Sequence, residues 1–278
     1  MKAGKNILQH DLKRHKRRRM WLVNGLAITG GLVLFTLLGF VHKKQKDTTC
    51  WKMEVLVNAP DGKKFISEAT ITRIAMQAQD SILGSRVDAI NLKTIHEQVA
   101  AISSVKDARV YTTVDGRLMI SVSQRTPVAR IFNHQGESFY LDDDGFTMAL
   151  SDECPARVPV FVGSIPDQVR EGSFMDKTTD GSYMQSTMLD DIYAFTNFIS
   201  ANEFWKAQVE HVHVNNAGEF EIIPRVGSHR INMGKAENLE EKFKKLMAFY
   251  AHTVHTNDLN KYSMINVEYN GQIVCVRR

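Results

Sequence analysis

From Trp21 to Val41 the chain runs WLVNGLAITGGLVLFTLLGFV, about 21 residues without a charge, which as a helix measures roughly 31 Å, the thickness of a bilayer's hydrocarbon core. A single membrane-spanning helix is the first element predicted. A short polar stalk over 42–50 follows, and then the pattern changes to period two. Trp51, Met53, Val55 and Val57 alternate with Lys52 and Glu54, as in a half-buried strand. Asn58-Ala59-Pro60-Asp61-Gly62 breaks it. Ser67 fits the N-cap of a helix whose inward face carries Ile71, Ile74, Ala75 and Ala78. Asn91 fits the cap of a second helix, with Leu92, Ile95, Val99 and Ile102 on one stripe. Strands over Ala108–Thr113 and Arg117–Gln124 come next, and Asp115-Gly116 between them predicts a hairpin with a type I′ turn. The order β-α-α-β-β describes a small α+β unit over 51–126 with two helices on one sheet face.

The second half, 127–278, reads as a mainly antiparallel β domain with two flanking helices. Strands are predicted near Val128–Asn133, Ser138–Leu141, Phe146–Ala149 and Pro159–Val162. A helix over Ser186–Ala201 follows, with Met188, Leu189, Ile192, Phe195 and Ile199 on one stripe. Gln208–Asn215 and Glu219–Pro224 form a hairpin, Arg230–Met233 another strand, and Asn238–His252 a second amphipathic helix. Met264–Tyr269 turns at Asn270-Gly271 into a last strand, Gln272–Arg277. No element is assigned from Pro166 to Ser186.

Charge sets the direction of the span. The first 20 residues hold eight Lys and Arg against Asp11, and only Lys43, Lys44 and Lys46 lie just beyond the apolar run. Cytoplasmic flanks collect Lys and Arg, so 1–20 is expected inside and everything after Val41 outside. A cleaved signal peptide would have a shorter apolar core of about 7–15 residues and a small-x-small cleavage site, and neither is present. Overall net charge is +4, yet these eleven cations and one acid leave the rest of the chain at −6. A basic tail on an acidic body argues against nucleic-acid binding; attraction to anionic lipid explains the tail better. Cys50, Cys154 and Cys275 match no metal-site spacing. A Cys154–Cys275 bridge is conceivable in an oxidising compartment, but three thiols is the simpler reading.

The search for chemistry finds little. Asp142-Asp143-Asp144 before Gly145 has Glu153 at the twelfth position of a calcium loop, but the flanking helices of such a loop are missing, so a polar hairpin turn is expected. His211 and His213 share one strand face, and Glu221 is the only suggestion of a third zinc ligand. No nucleophile elbow, His-Glu-x-x-His or phosphate loop occurs. No catalytic residue, cofactor or metal is therefore expected, and binding is the remaining trade. A strand at a sheet edge can accept a strand from another chain, and Gln272–Arg277, rich in β-branched residues, is the candidate.

The β-α-α-β-β unit resembles a POTRA domain. The strand Val105-Lys106-Asp107-Ala108-Arg109-Val110 and the exit Gln124-Arg125-Thr126-Pro127-Val128-Ala129-Arg130 resemble the bacterial cell-division family FtsQ, also called DivIB. So do Phe139–Phe146 with its Asp-x-x-Gly-type turn and the Val158-Pro159-Val160-Phe161-Val162-Gly163 step. The ending Tyr262–Val274 is similar to Bacteroidetes members. The resemblance implies a non-enzymatic divisome scaffold of the cytoplasmic membrane, single-pass, with periplasmic domains at the septum. It implies partners like the coiled-coil proteins FtsB and FtsL, bound by the C-terminal sheet. Tyr269, Gly271, Gln272, Ile273, Val274, Cys275, Val276 and Arg277 are the residues it points to. Arg125, Pro127, Asp144 and Gly145 are motif positions with a structural reading, Pro127 fixing the turn between domains. Two other classes stay open: a POTRA-bearing chaperone or secretion component, and a membrane-anchored envelope hydrolase.

Overall fold

The computed structural model describes residue 36 and residues 48–278, apart from 61, 80, 152, 167–186, 257 and 258. The basic tail and the expected span over 21–41 lie outside the described residues save Thr36, as does nearly all of the Pro166–Ser186 stretch. Among the described residues no helix is long and apolar enough to cross a membrane.

The first unit follows its pattern closely. Strand β1 (Lys52–Asn58), helices α1 (Glu68–Ala78) and α2 (Leu92–Ala100), and strands β2 (Val105–Thr112) and β3 (Arg117–Gln124) build a sheet ordered β1-β3-β2. β1 runs parallel to β3, and β2 antiparallel to it. Ser67 accepts from Thr70 N and Asn91 from Thr94 N, so both caps are as expected. Ile71, Ala75, Ile95 and Val99 pack on Leu118, Ile120 and Val122 as a single core. That core includes Cys50, which is fully buried, and Val87 N donates to Thr48 O. Residues 48–50 thus belong to this unit rather than to the stalk. The hairpin turn also differs. Gly116 N donates to Thr113 O and Thr113 N to Arg117 O, and only Gly116, at φ 86°, has positive φ. This is a three-residue loop with a bulged glycine, not type I′. An added Cβ at Gly116 would run into Thr49 O, so a side chain is excluded there twice over.

The second unit holds strands β4 (Pro127–Phe132), β5 (Ser138–Asp142), β6 (Thr147–Met148), β7 (Val160–Gly163), β8 (Val209–Val214), β9 (Phe220–Pro224), β10 (Arg230–Gly234), β11 (Tyr262–Asn266) and β12 (Val274–Arg277). They form one sheet ordered β12-β11-β10-β9-β8-β7-β4-β5-β6. Five neighbouring pairs are antiparallel and three parallel. Helices α3 (Met188–Ser200), α4 (Glu203–Gln208) and α5 (Leu239–Thr256) accompany the sheet, one more than expected. α4 is too short to show a period, but Asn202 caps it through Phe204 N and Trp205 N. Phe195 stacks on Phe220 at 5.0 Å and meets Phe161 and Phe243 edge-on or tilted, at the centre of the core.

Candidate functional site

The last strand lies at the end of the nine-stranded sheet and among the described residues pairs only with β11. Its making can be followed residue by residue. After β10, helix α5 carries the chain across so that β11 returns parallel to β10. The chain then reverses at Asn270-Gly271, with Gly271 at φ 69°, and β12 runs back antiparallel to β11. Two side chains of α5 hold this reversal. Lys245 Nζ donates to Val267 O at 3.0 Å and to Tyr269 O, and Gly271 N donates to Glu241 Oε1 at 3.4 Å. The periodicity of α5 puts Lys245 on the outer, solvated stripe and points to no role for Glu241, whereas in the fold the Lys245 side chain is only 14% exposed because its ammonium turns to these carbonyls.

The strand is shorter than predicted. It begins at Val274, so Gln272 and Ile273 precede it, and Ile273 packs on the core instead of extending the edge. Cys275 pairs with Ile265 and also faces the core; burial pushes its thiol pKa up, which keeps it a protonated, weakly nucleophilic group. Val274 and Val276 point the other way, 44% and 51% exposed, and Tyr269 is 50% exposed beside them in the reversal. Arg277 is exposed and pairs with Tyr262. Arg278 fastens the end, donating from its amide to Lys261 O and from its guanidinium to Ser228 O at 2.6 Å.

The opposite edge is covered. Thr147 and Met148 of β6 are 5% and 1% exposed, and Ala149 N donates to Ser103 Oγ of the first unit. Between the units, Arg125 reaches Asp142 Oδ2 at 2.7 Å and lies 3.9 Å above the Phe146 ring. Asp142 is wholly buried, and its Oδ1 accepts from Asp144 N and Phe146 N. Asp144 and Asp143 meet Lys106 of β2, and that contact raises the Lys106 pKa while burial raises that of Asp143. The three carboxylates that suggested calcium lie within 4.8 Å of one another, and two cations of the first unit occupy them. Gly145 takes φ 83° in their hairpin turn and Pro127 opens β4, so the motif positions join the two units. His213 stands across from Glu221, but Glu221 turns to Arg230 at 3.5 Å, and among the described residues His211, His213 and Glu221 do not converge as ligands. Cys154 follows Glu153, whose carboxylate meets Thr70 of α1, while Cys275 is on the far edge strand. A bridge between them, which needs Cα atoms within about 7 Å, does not form.

A family model described as FtsQ/DivIB, C-terminal related, matches residues 126–276, more than half the chain. The chain belongs to the FtsQ/DivIB family. A POTRA-like domain model matches residues 48–123, the β-α-α-β-β unit. Cell division protein FtsQ of Salinibacter ruber is 31% identical over 144 residues, half of this chain and half of that protein. The FtsQ/DivIB match ends at residue 276 and so takes in most of β12.

Proposed function

We propose that this FtsQ/DivIB member is a non-enzymatic scaffold of cell division whose β12 edge receives a strand from a partner like FtsB, in complex with an FtsL-like protein. The observation that carries this is the edge itself. Of the two ends of the nine-stranded sheet, one is closed by the first unit and the other presents exposed Val274 and Val276. An unpaired strand edge supplies backbone hydrogen bonds to an incoming strand, and alternate side chains supply selectivity. Tyr269 and Gly271 in the neighbouring reversal and Arg277 on the strand would border the added strand. Gln272, Ile273 and Cys275 would act by holding the edge in place.

The decisive experiment introduces charge on the edge. A Val274→Lys, Val276→Lys variant keeps every core contact, so its circular dichroism and Tm are expected to match the parent's. Capture of an FtsB-like coiled-coil protein from gently solubilised membranes is expected to be lost. Undiminished capture would rule the edge out. The scaffold reading also places both units outside the cytoplasmic membrane, anchored by 21–41. A phosphatase active only in the periplasm, fused after Arg278, is expected to be active; an inactive fusion, with a cytosolic reporter active in its place, refutes that orientation.

A further inference from the structure

Where the two units meet, the sheet ends over a cleft of about 640 Å³, within the size range of sites that hold peptides and small ligands. β4, β7 and β8 all begin here, and Pro127, Pro159 and Val209 give it an apolar floor. Four cations line it from four separate parts of the chain: Lys63 before α1, Arg157 before β7, Lys206 on α4 and Arg225 after β9. Among the described residues Glu210 is the one carboxylate of the lining, and Arg225 approaches it at 3.7 Å. Lys63, Arg157 and Lys206 are exposed and make no ion pair among the described residues.

The lining thus sums to +3, inside a body that from Asp47 onward sums to −6. A fold that gathers its cations at one concave, partly apolar place focuses a positive potential there. Lysines and arginines scattered over a solvated surface would not. The floor decides between kinds of anion. A bare phosphate or a polyphosphate uses the cations and leaves the proline and valine surface wet. A chain that alternates carboxylates with apolar side chains covers both. We propose that this cleft binds an extended acidic segment of a partner polypeptide, its carboxylates against Lys63, Arg157, Lys206 and Arg225 and its apolar side chains on the floor. The site does not depend on the β12 edge. β8 is four strands from β12, on the order of 19 Å at the usual spacing.

The full chain in a neutral-headgroup detergent is titrated into a fluorescein-labelled octapeptide alternating glutamate with leucine. Two further probes are its glutamine counterpart and a labelled polyphosphate. The basic tail is common to all variants, so the difference between variants is what reads out the cleft. An Arg157→Glu, Lys206→Glu variant is expected to weaken the glutamate peptide by about tenfold or more. A milder Lys63→Gln, Arg157→Gln variant, which introduces no repulsion and so tests two of the cleft's cations at less risk to folding, is expected to weaken it several-fold. Arg109→Glu, on the exposed face of β2, is expected to bind as the parent does. Equal binding by the cleft variants, equal binding of the glutamine peptide, or a cleft-dependent preference for polyphosphate over the peptide would each overturn the proposal.

Discussion

His229 is 1% exposed, its Nε2 lies 2.7 Å from the Tyr250 hydroxyl, and its Nδ1 has no partner among the described residues. A neutral imidazole tolerates that surrounding; a cation does not. Burial first, and then the Arg278 guanidinium, lower the His229 pKa, while burial pushes Tyr250 up to about 12, so its hydroxyl stays neutral. The folded pKa is therefore below the unfolded value of about 6.5, and the unfolded chain takes up the proton first. The stability this group contributes is complete above about pH 6.5 and is lost as pH falls towards the folded pKa. Tm is expected to decline from about pH 7.5 to about pH 5.5, and a His229→Gln variant to show a shallower slope in the same buffers. Burial raises Asp143 and Asp191, which gives the opposite sign, so a parallel decline in parent and variant would assign the effect elsewhere.

At the scale of elements, the helices and most strands were legible because each has one buried face. Arg117–Gln124 alternates in burial with Leu118, Ile120 and Val122 inward, and Val105–Thr112 does so from Ala108 onward. Ser67 and Asn91 are short polar acceptors placed where a helix must begin, and they cap as read. Periodicity says which side of a strand faces the core, but not which strand lies beside it. The parallel pairs β4 with β7 and β7 with β8 join segments separated by long crossovers, and nothing local encodes those choices. The hairpin after β2 was misread for a related reason. Asp-Gly fits either a two-residue or a three-residue loop, and it is the approach of Thr49 and Trp51 to Gly116 that belongs with the longer one. The candidate edge was legible as a β-branched strand near the end of the chain. That it is unpaired on one side was not, since this follows from the strand order of the sheet, which no local pattern encodes. The cationic cleft was invisible for the same reason, its four cations being far apart in sequence.

The whole molecule depends on how its two units are joined, and Arg125 with Asp142 is the buried part of that joint. Other contacts cross it: Ser151 Oγ to Phe65 O at 2.7 Å, Asp143 N to Thr126 O at 3.0 Å, and the exposed Lys106 pairs. Exposed pairs contribute little. The Asp142 carboxylate is 0% and Arg125 13% exposed, so removing one charge leaves the other uncompensated out of water, at a cost of about 3 kcal/mol. The Phe146 ring still shields Arg125, which places the loss at the low end of that range. An Asp142→Asn variant keeps the shape and removes the charge. In urea it is expected to unfold at lower concentration by an amount equivalent to that loss. It is also expected to show the two units separating into distinct transitions, because the joint that makes them unfold together is weakened. Adding Arg125→Met removes the stranded cation and should restore most of the midpoint, since a buried pair replaced by apolar groups is often neutral. If the single variant unfolds as the parent does, the pair carries no interdomain coupling, and the weight of the joint falls on the other contacts, those at Thr126, Phe65, Ser103 and Thr70 among them.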